Sequence, residues 1–223
     1  MKSKVPGRVI AGTVAGLVIA GAVAAYLFFP VLGRSRPAVP SIPHPVPAVK
    51  KPVGGAATSN TATALDLYRK GLKLYYQRDY QPALDLFNQA LVLDPQSYQA
   101  LNAKGATYAF LGRYDEGIRM IQQAITMKPD FEYAHFNLGL AYELAGRWDQ
   151  AIAAYKSAIA LDRNDEWTYY GIAAIYGRQG NVPMTVKYLR RAIGIWSGVK
   201  GIAAKEKDFD NVRNDPRFQA LLQ

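Results

Sequence analysis

Three patterns of apolar and polar positions follow one another along the chain. Residues 9–29 (VIAGTVAGLVIAGAVAAYLFF) run for 21 positions without a charge and without a polar face in any turn. At a 1.5 Å rise a helix of that length spans about 30 Å, the hydrocarbon thickness of a bilayer, so the run predicts a single transmembrane helix. Residues 30–63 lose all periodicity. Seven prolines between Pro30 and Pro52 remove backbone donors and fix φ, which favours neither helix nor sheet, and Gly54, Gly55 and a Ser/Thr/Asn/Ala stretch continue to Thr63. From residue 64 onward apolar residues recur at three- and four-residue intervals. This predicts paired amphipathic helices over 64–77 with 81–94, 98–111 with 115–128, 132–145 with 149–162 and 166–179 with 183–196.

The helical part repeats with a period of 34. Gly71, Gly105 and Gly139 align with Ala173; Leu74 aligns with Tyr108, Tyr142 and Tyr176. In the second half of each unit Ala83, Gly117, Ala151 and Thr185 form one column, Phe87, Ile121, Tyr155 and Leu189 another, and Ala90, Ala124, Ala158 and Ala192 a third. The turns keep the register, with Arg78, Gly112, Gly146 and Gly180 followed by Tyr80, Tyr114, Trp148 and Val182. Small columns leave room for two helices to approach closely, and large columns fill the space beside them. No unit can bury its apolar face alone, so four units (64–97, 98–131, 132–165, 166–199) must stack as an all-α helical-hairpin solenoid with a concave inner surface. Residues 200–223 are its expected C-terminal cap: Asp215 can cap a short helix opened by Pro216, whose Phe218, Leu221 and Leu222 cover the last unit.

Charge changes the reading of the ends. The net charge is +10, yet seven of the 27 basic residues (Lys2, Lys4, Arg8, Arg34, Arg36, Lys50, Lys51) lie before Asp66, where no acid occurs, so the remainder carries only +3. The excess flanks the apolar run and does not form a face of the folded part, which argues against nucleic-acid binding. The basic residues 1–8 favour a cytoplasmic N-terminus and place the C-terminal domain outside the cytoplasm, in the periplasm of a Gram-negative source. Ala22-Val23-Ala24 has the small-x-small form of a signal-peptidase site, so a cleaved signal is the alternative to an anchor. The unbroken run through Tyr26, Leu27, Phe28 and Phe29 favours the anchor. Gly12, Gly16 and Ala20 give the span a small face suited to a homodimer contact. The linker from Pro37 to Pro52, in polyproline II conformation, reaches roughly 50 Å.

Catalysis needs convergent titratable groups, and the chain has no cysteine and two histidines. His44 falls in the linker and His135 in the column of Leu67, Leu101 and Tyr169, a packing position. Asp115-Glu116 and Asp165-Glu166 sit at expected helix starts, where the dipole favours them. No phosphate loop or metal-ligand cluster is present in the sequence, so no enzyme activity, cofactor or metal is expected.

The columns over about 64–199 resemble the tetratricopeptide repeat (TPR), whose unit carries Leu-Gly, Tyr, Ala, Phe, Ala and Pro in this order. The third unit, with Leu138-Gly139, Tyr142, Ala151, Tyr155 and Ala158, matches best; Lys70, Lys104, Gly117 and the fourth unit's Ile172-Ala173 and Thr185 depart from it. In TPR arrays the first helix of each unit lines the inner groove. The resemblance therefore implies a lining of Leu65, Tyr68, Leu72, Tyr75 and Tyr76; Gln99, Asn102, Ala106 and Phe110; Tyr133, Phe136, Leu140 and Glu143; and Trp167, Tyr170, Ala174 and Arg178. Only Asn137 and Arg69 stand near the columns of a carboxylate clamp, and the lining is aromatic, which suits an apolar or aromatic protein segment. The expectation is a membrane-tethered TPR scaffold for a protein partner, with a self-associating envelope protein or a regulatory subunit of a membrane enzyme complex as alternatives.

Overall fold

The computed structural model describes residues 59–223; the expected span 9–29, its basic flank, its Gly12/Gly16/Ala20 face and the linker as far as residue 58 lie outside the described residues. Among the described residues there are ten α-helices, one 3-10 turn and no strand. The helices are α1 (Ser59–Tyr76), α2 (Tyr80–Leu93), α3 (Tyr98–Phe110), α4 (Tyr114–Met127), α5 (Glu132–Leu144), α6 (Trp148–Leu161), α7 (Glu166–Arg178), α8 (Val182–Ile195), α9 (Val199–Ala203) and α10 (Pro216–Leu222). None is long and apolar enough to cross a membrane.

The four helical hairpins appear where the 34-residue period puts them, with two differences. Residues 59–63, assigned to the linker by composition, are the first turns of α1, and Thr63 Oγ1 donates to Ser59 O at 2.9 Å. They contain neither Gly nor Pro, so a helix held by buried Tyr68, Gly71 and Leu72 extends through them at little cost. The second helices begin one residue earlier than expected, because the turn before each ends in a Schellman arrangement. Gly112 N donates to Ala109 O and Arg113 N to Tyr108 O, and the same pair of bonds recurs at Arg78/Asp79, Gly146/Arg147 and Gly180/Asn181. This geometry needs positive φ, observed at Gly112 (82°), Gly146 (72°), Gly180 (69°) and Arg78 (67°). Arg78 is the one member of the column that adopts it with a side chain.

Within each unit the two helices meet at the small column. A Cβ at Gly71 would lie 2.6 Å from Phe87 Cε1, and one at Gly139 2.5 Å from Tyr155 Cδ1. In the second unit the backbones themselves come close: a Cβ on Gly117 would lie 2.5 Å from Gly105 O. The large partners Phe87, Ile121, Tyr155 and Leu189 have no exposed surface, and each contributes about 1.5–3 kcal/mol by burial. First helices of successive units touch one another, whereas each second helix touches the first helix of its own unit and of the next. The first helices therefore form the inner layer.

The cap takes the expected form and adds to it. Asp215 Oδ1 accepts from Arg217 N at the start of α10, Phe218 is buried, and Leu221 and Leu222 pack at the edge of the core. Short helix α9 and the 3-10 turn Lys207–Phe209 precede it; the sequence pattern did not reveal either. Gly177 admits this turn, since a Cβ there would stand 2.6 Å from Asp208 O and 2.7 Å from Phe209 Cδ1.

Stability measurements on the full chain can check this register. Gly139→Leu or Ala151→Leu should cost about 1–3 kcal/mol, and Gln150→Leu, on the exposed face, under about 0.5 kcal/mol. Arg78→Gly should raise stability by up to about 1 kcal/mol, whereas Gly146→Ala should lower it by about 1–2 kcal/mol. Equal melting shifts for Ala151→Leu and Gln150→Leu would show the register to be wrong.

Candidate functional site

The residues expected along the inner groove divide into two sets. Tyr68, Leu72, Asn102, Ala106, Phe136, Leu140, Glu143, Trp167, Tyr170 and Ala174 are buried, with Tyr68, Phe136 and Tyr170 only 2%, 1% and 1% exposed. Leu65, Tyr75, Tyr76, Gln99, Phe110, Tyr133 and Arg178 keep partial exposure. The expectation of a continuous open lining is thereby narrowed. The buried rings serve as packing: Tyr68 lies 6.1 Å from Phe87, Phe136 5.4 Å from Tyr155, and Tyr170 5.6 Å from Phe209 of the cap. Sequence spacing places a residue on a helix face, but does not tell how deeply the next helix or the cap covers that face.

The half-exposed set converges at the N-terminal half of the array. Tyr75, near the end of α1, meets Tyr76, Tyr80 and Phe110 edge-on at 5.4, 5.8 and 5.6 Å, while Tyr80 and Phe110 stack at 5.2 Å. Tyr76 and Tyr133 share a hydroxyl–hydroxyl hydrogen bond of 2.9 Å, which links α1 to α5 across the intervening unit. Burial pushes the Tyr75 and Tyr133 hydroxyls well above the usual tyrosine range. The rings keep partial exposure, while the Tyr76 and Tyr133 hydroxyls satisfy each other. The first helices of three units thus contribute to one aromatic cluster, in which Tyr80 from α2 was not anticipated. Its column (Tyr80, Tyr114, Trp148) was visible in the sequence, but only as turn punctuation.

The C-terminal half is polar and internal. Arg178 forms an ion pair with Glu143 and a second, at 3.3 Å, with Asp208, while Tyr155 Oη donates to Glu143 Oε2 at 2.7 Å. Two residues expected to face a partner therefore tie the third unit, the fourth unit and the cap together. Asn102, also expected to face the groove, accepts from Asn137 Nδ2 at 3.2 Å, and both are buried. The chain's carboxylate-clamp candidate Asn137 is thus engaged in packing. Burial raises the Asp208 carboxyl to about 6, although Arg178 opposes the shift, because Glu143, Glu206 and Asp210 act in the same direction as burial. Among the described residues its Oδ2 has no hydrogen-bond donor. Glu132 is likewise raised to about 7 by burial, with Asp165 and Asp162 adding to the effect. Asp165 caps α7 by accepting from Trp167 N at 3.1 Å, and His135 Nε2 bonds Pro129 O at 2.8 Å, both consistent with structural roles. Among the described residues no group of His, Cys, Asp and Glu is placed to hold a metal ion.

A solenoid of helical hairpins with small, large and turn columns at a period of 34, presenting first helices on its inner layer, is the architecture of a TPR array. Tetratricopeptide-repeat family models match residues 64–97, 86–119 and 103–166, so the chain carries TPR repeats. Among solved structures, the thermophilic TPR protein TTC0263 of Thermus thermophilus superposes with a TM-score of 0.59 at 18% identity, over 71% of this chain and 96% of that one. A crystal structure of MamA gives 0.55 at 21% identity, over 72% and 90%. MamA of Desulfovibrio magneticus gives 0.52 at 22%, over 60% and 76%. At these identities the likeness is one of fold. No curated protein matches the sequence at a significant level.

Two measurements follow from the buried set. Tyr68→Ala, Phe136→Ala and Tyr170→Ala should each lose about 3–5 kcal/mol of stability, the cost of a cavity in place of a buried ring; unchanged melting would show that they face solvent. Because the folded Asp208 and Glu132 carboxyls lie above their unfolded values, their contribution to stability is complete below about pH 4 and is lost as pH rises through about 6 and 7. The melting temperature should therefore fall between about pH 4.5 and 7.5, and Asp208→Asn should flatten the lower part of that fall. An identical pH profile in Asp208→Asn would remove Asp208 from the account.

Proposed function

We propose that the chain is a non-catalytic TPR scaffold that holds an apolar or aromatic protein segment against the inner layer, at the edge formed by Tyr75, Tyr76, Phe110 and Tyr133. The single observation behind this reading is the convergence of half-exposed rings from α1, α3 and α5 on one place. Aromatic side chains in such clusters supply large contact area at low conformational cost and anchor most protein–protein contacts. Leu65 and Gln99, two further half-exposed residues of the expected lining, extend the edge toward the N-terminal ends of α1 and α3.

We further propose that residues 9–29 tether this scaffold to a membrane as a single span, with the described domain on the extracytoplasmic side and the proline-rich segment as spacer. The apolar run and the basic residues before it support this part. A partner held at the end of such a tether is confined near the bilayer, which raises its effective concentration for anything else resident there.

A photo-reactive residue at Phe110 of the full-length protein, expressed in its own cell, tests the binding site. It should crosslink to one dominant protein, and Tyr75→Ala with Tyr133→Ala should reduce that product at least tenfold while a probe at exposed Gln123 gives none of it. Products that are the same from Phe110 and Gln123 would sink the proposal, and a crosslink solely to a second copy of the chain would favour the self-associating alternative.

A further inference from the structure

The second helices carry a surface that the inner-layer site does not use. The exposed column that reads Asn88 and Gln122 in the first two units reads Lys156 and Arg190 in the last two, and the column beside it turns from Gln89 and Gln123 to Ser157 and Arg191. Exposed Lys187 and Arg163 lie on or beside the same two helices, α6 and α8. On and beside those helices the exposed acids are Asp149, in the first turn of α6, and Asp162, which follows Leu161. None of Lys156, Lys187, Arg190 and Arg191 makes an ion pair with another described residue, the ion pairs of this domain lying elsewhere. Arg191 is held in place over the Tyr169 ring at 5.6 Å and donates to Arg163 O at 3.1 Å; Lys187 lies over Tyr188 at 5.5 Å.

The basic columns are accompanied by apolar side chains that a soluble surface has no use for. Trp196, immediately after α8, is 45% exposed, and Leu161, at the end of α6, is equally so. By the 34-residue register Leu161 aligns with half-buried Ile195 and Trp196 with exposed Asp162, so the two apolar residues close consecutive second helices at adjacent positions, and the Trp196 ring also lies 5.7 Å from Trp167 of α7. Between the charges the outward residues are small: Ala153, Ala160 and Gly194. We propose that this face docks on an anionic lipid surface, with Lys156, Lys187, Arg190 and Arg191 at the headgroups and Trp196 and Leu161 entering the interface. Positive charge answers the phosphates, and an exposed tryptophan beside an exposed leucine suits the boundary between headgroups and acyl chains. The small residues let a broad, nearly flat partner approach without displacing bulky side chains. Docking here leaves the inner layer to its protein partner, because it uses the opposite helices of each unit. It goes beyond the scaffold reading and does not depend on the span at 9–29.

The test uses the full chain with vesicles of phosphatidylcholine alone or mixed with phosphatidylglycerol, both carrying brominated acyl chains. Quenching of tryptophan fluorescence reports insertion, and Trp196→Phe isolates that residue from half-buried Trp148 and buried Trp167. Trp196 should be quenched only when phosphatidylglycerol is present, and salt of about 0.5 M should abolish it. K187Q/R190Q should weaken the association about twenty-five-fold, at roughly fivefold for each charge near an anionic surface. Flotation with phosphatidylcholine vesicles reads the membrane span separately, so a protein that floats while Trp196 stays unquenched keeps its anchor and loses this proposal. Equal quenching with and without phosphatidylglycerol, an unaffected K187Q/R190Q variant, or binding of a DNA duplex or an acidic polypeptide without lipid-dependent quenching would each overturn it.

Discussion

Everything in this domain depends on two helices meeting where one of them has almost no side chain. At Gly71 and Gly139 the facing Phe87 and Tyr155 rings occupy the space a Cβ would need, and at Gly105 and Gly117 two backbones occupy it. Close approach buries the large column completely, and that burial is what each hairpin offers its neighbour. The turn geometry follows, because helices packed so closely must be joined by a Schellman ending with positive φ, and the column Arg78, Gly112, Gly146, Gly180 supplies it. Tyr155 shows how one contact serves two interfaces. Its ring lies against Gly139 in its own unit and against Gly171 in the next, and its hydroxyl reaches Glu143.

The inner layer inherits its character from the same stacking. Where another element closes over a first helix, its aromatics become packing; where none does, they stay half exposed. In the fourth unit the column that holds Tyr75 and Glu143 holds Gly177, and the missing side chain makes room for the turn around Asp208 and Phe209. The cap then brings Asp208 to Arg178, which already faces Glu143. Two carboxylates around one guanidinium in a buried place leave Asp208 easier to protonate than a free aspartate, which makes the cap the pH-responsive end of the array. The opposite end keeps the half-exposed aromatic edge at Tyr75, Tyr76, Phe110 and Tyr133, so the open edge and the closed end are separated along the solenoid.

Much of the fold was legible in the sequence because a repeat supplies its own controls: one period, read in small, large and turn columns, placed eight helices and the turns between them. The start of α1 at Ser59 was missed because Ser, Thr, Asn and Ala look like linker when no buried anchor is in view. Helix α9 and the 3-10 turn were missed because they have no counterpart in the period. The site was less legible. Helix spacing put Tyr68, Phe136 and Tyr170 on the inner face, yet their burial depends on contacts such as those with Phe87, Tyr155 and Phe209, residues of the unit's own second helix or of the cap. Glu143 and Arg178 looked like groove charges because nothing in their columns announces that Asp208 will join them.

One row of inner-helix aromatics is shared between a closed core and an open edge. The absence of cysteine makes the test direct, since a single introduced thiol is the only one in the chain. Thiol-labelling rates of Phe110→Cys and Tyr170→Cys, measured in the native full-length protein against the unfolding rate, would compare the two. Phe110→Cys should react within the native state, and Tyr170→Cys only as fast as the protein opens. Native-state labelling of Tyr170→Cys at the rate of Phe110→Cys would contradict it.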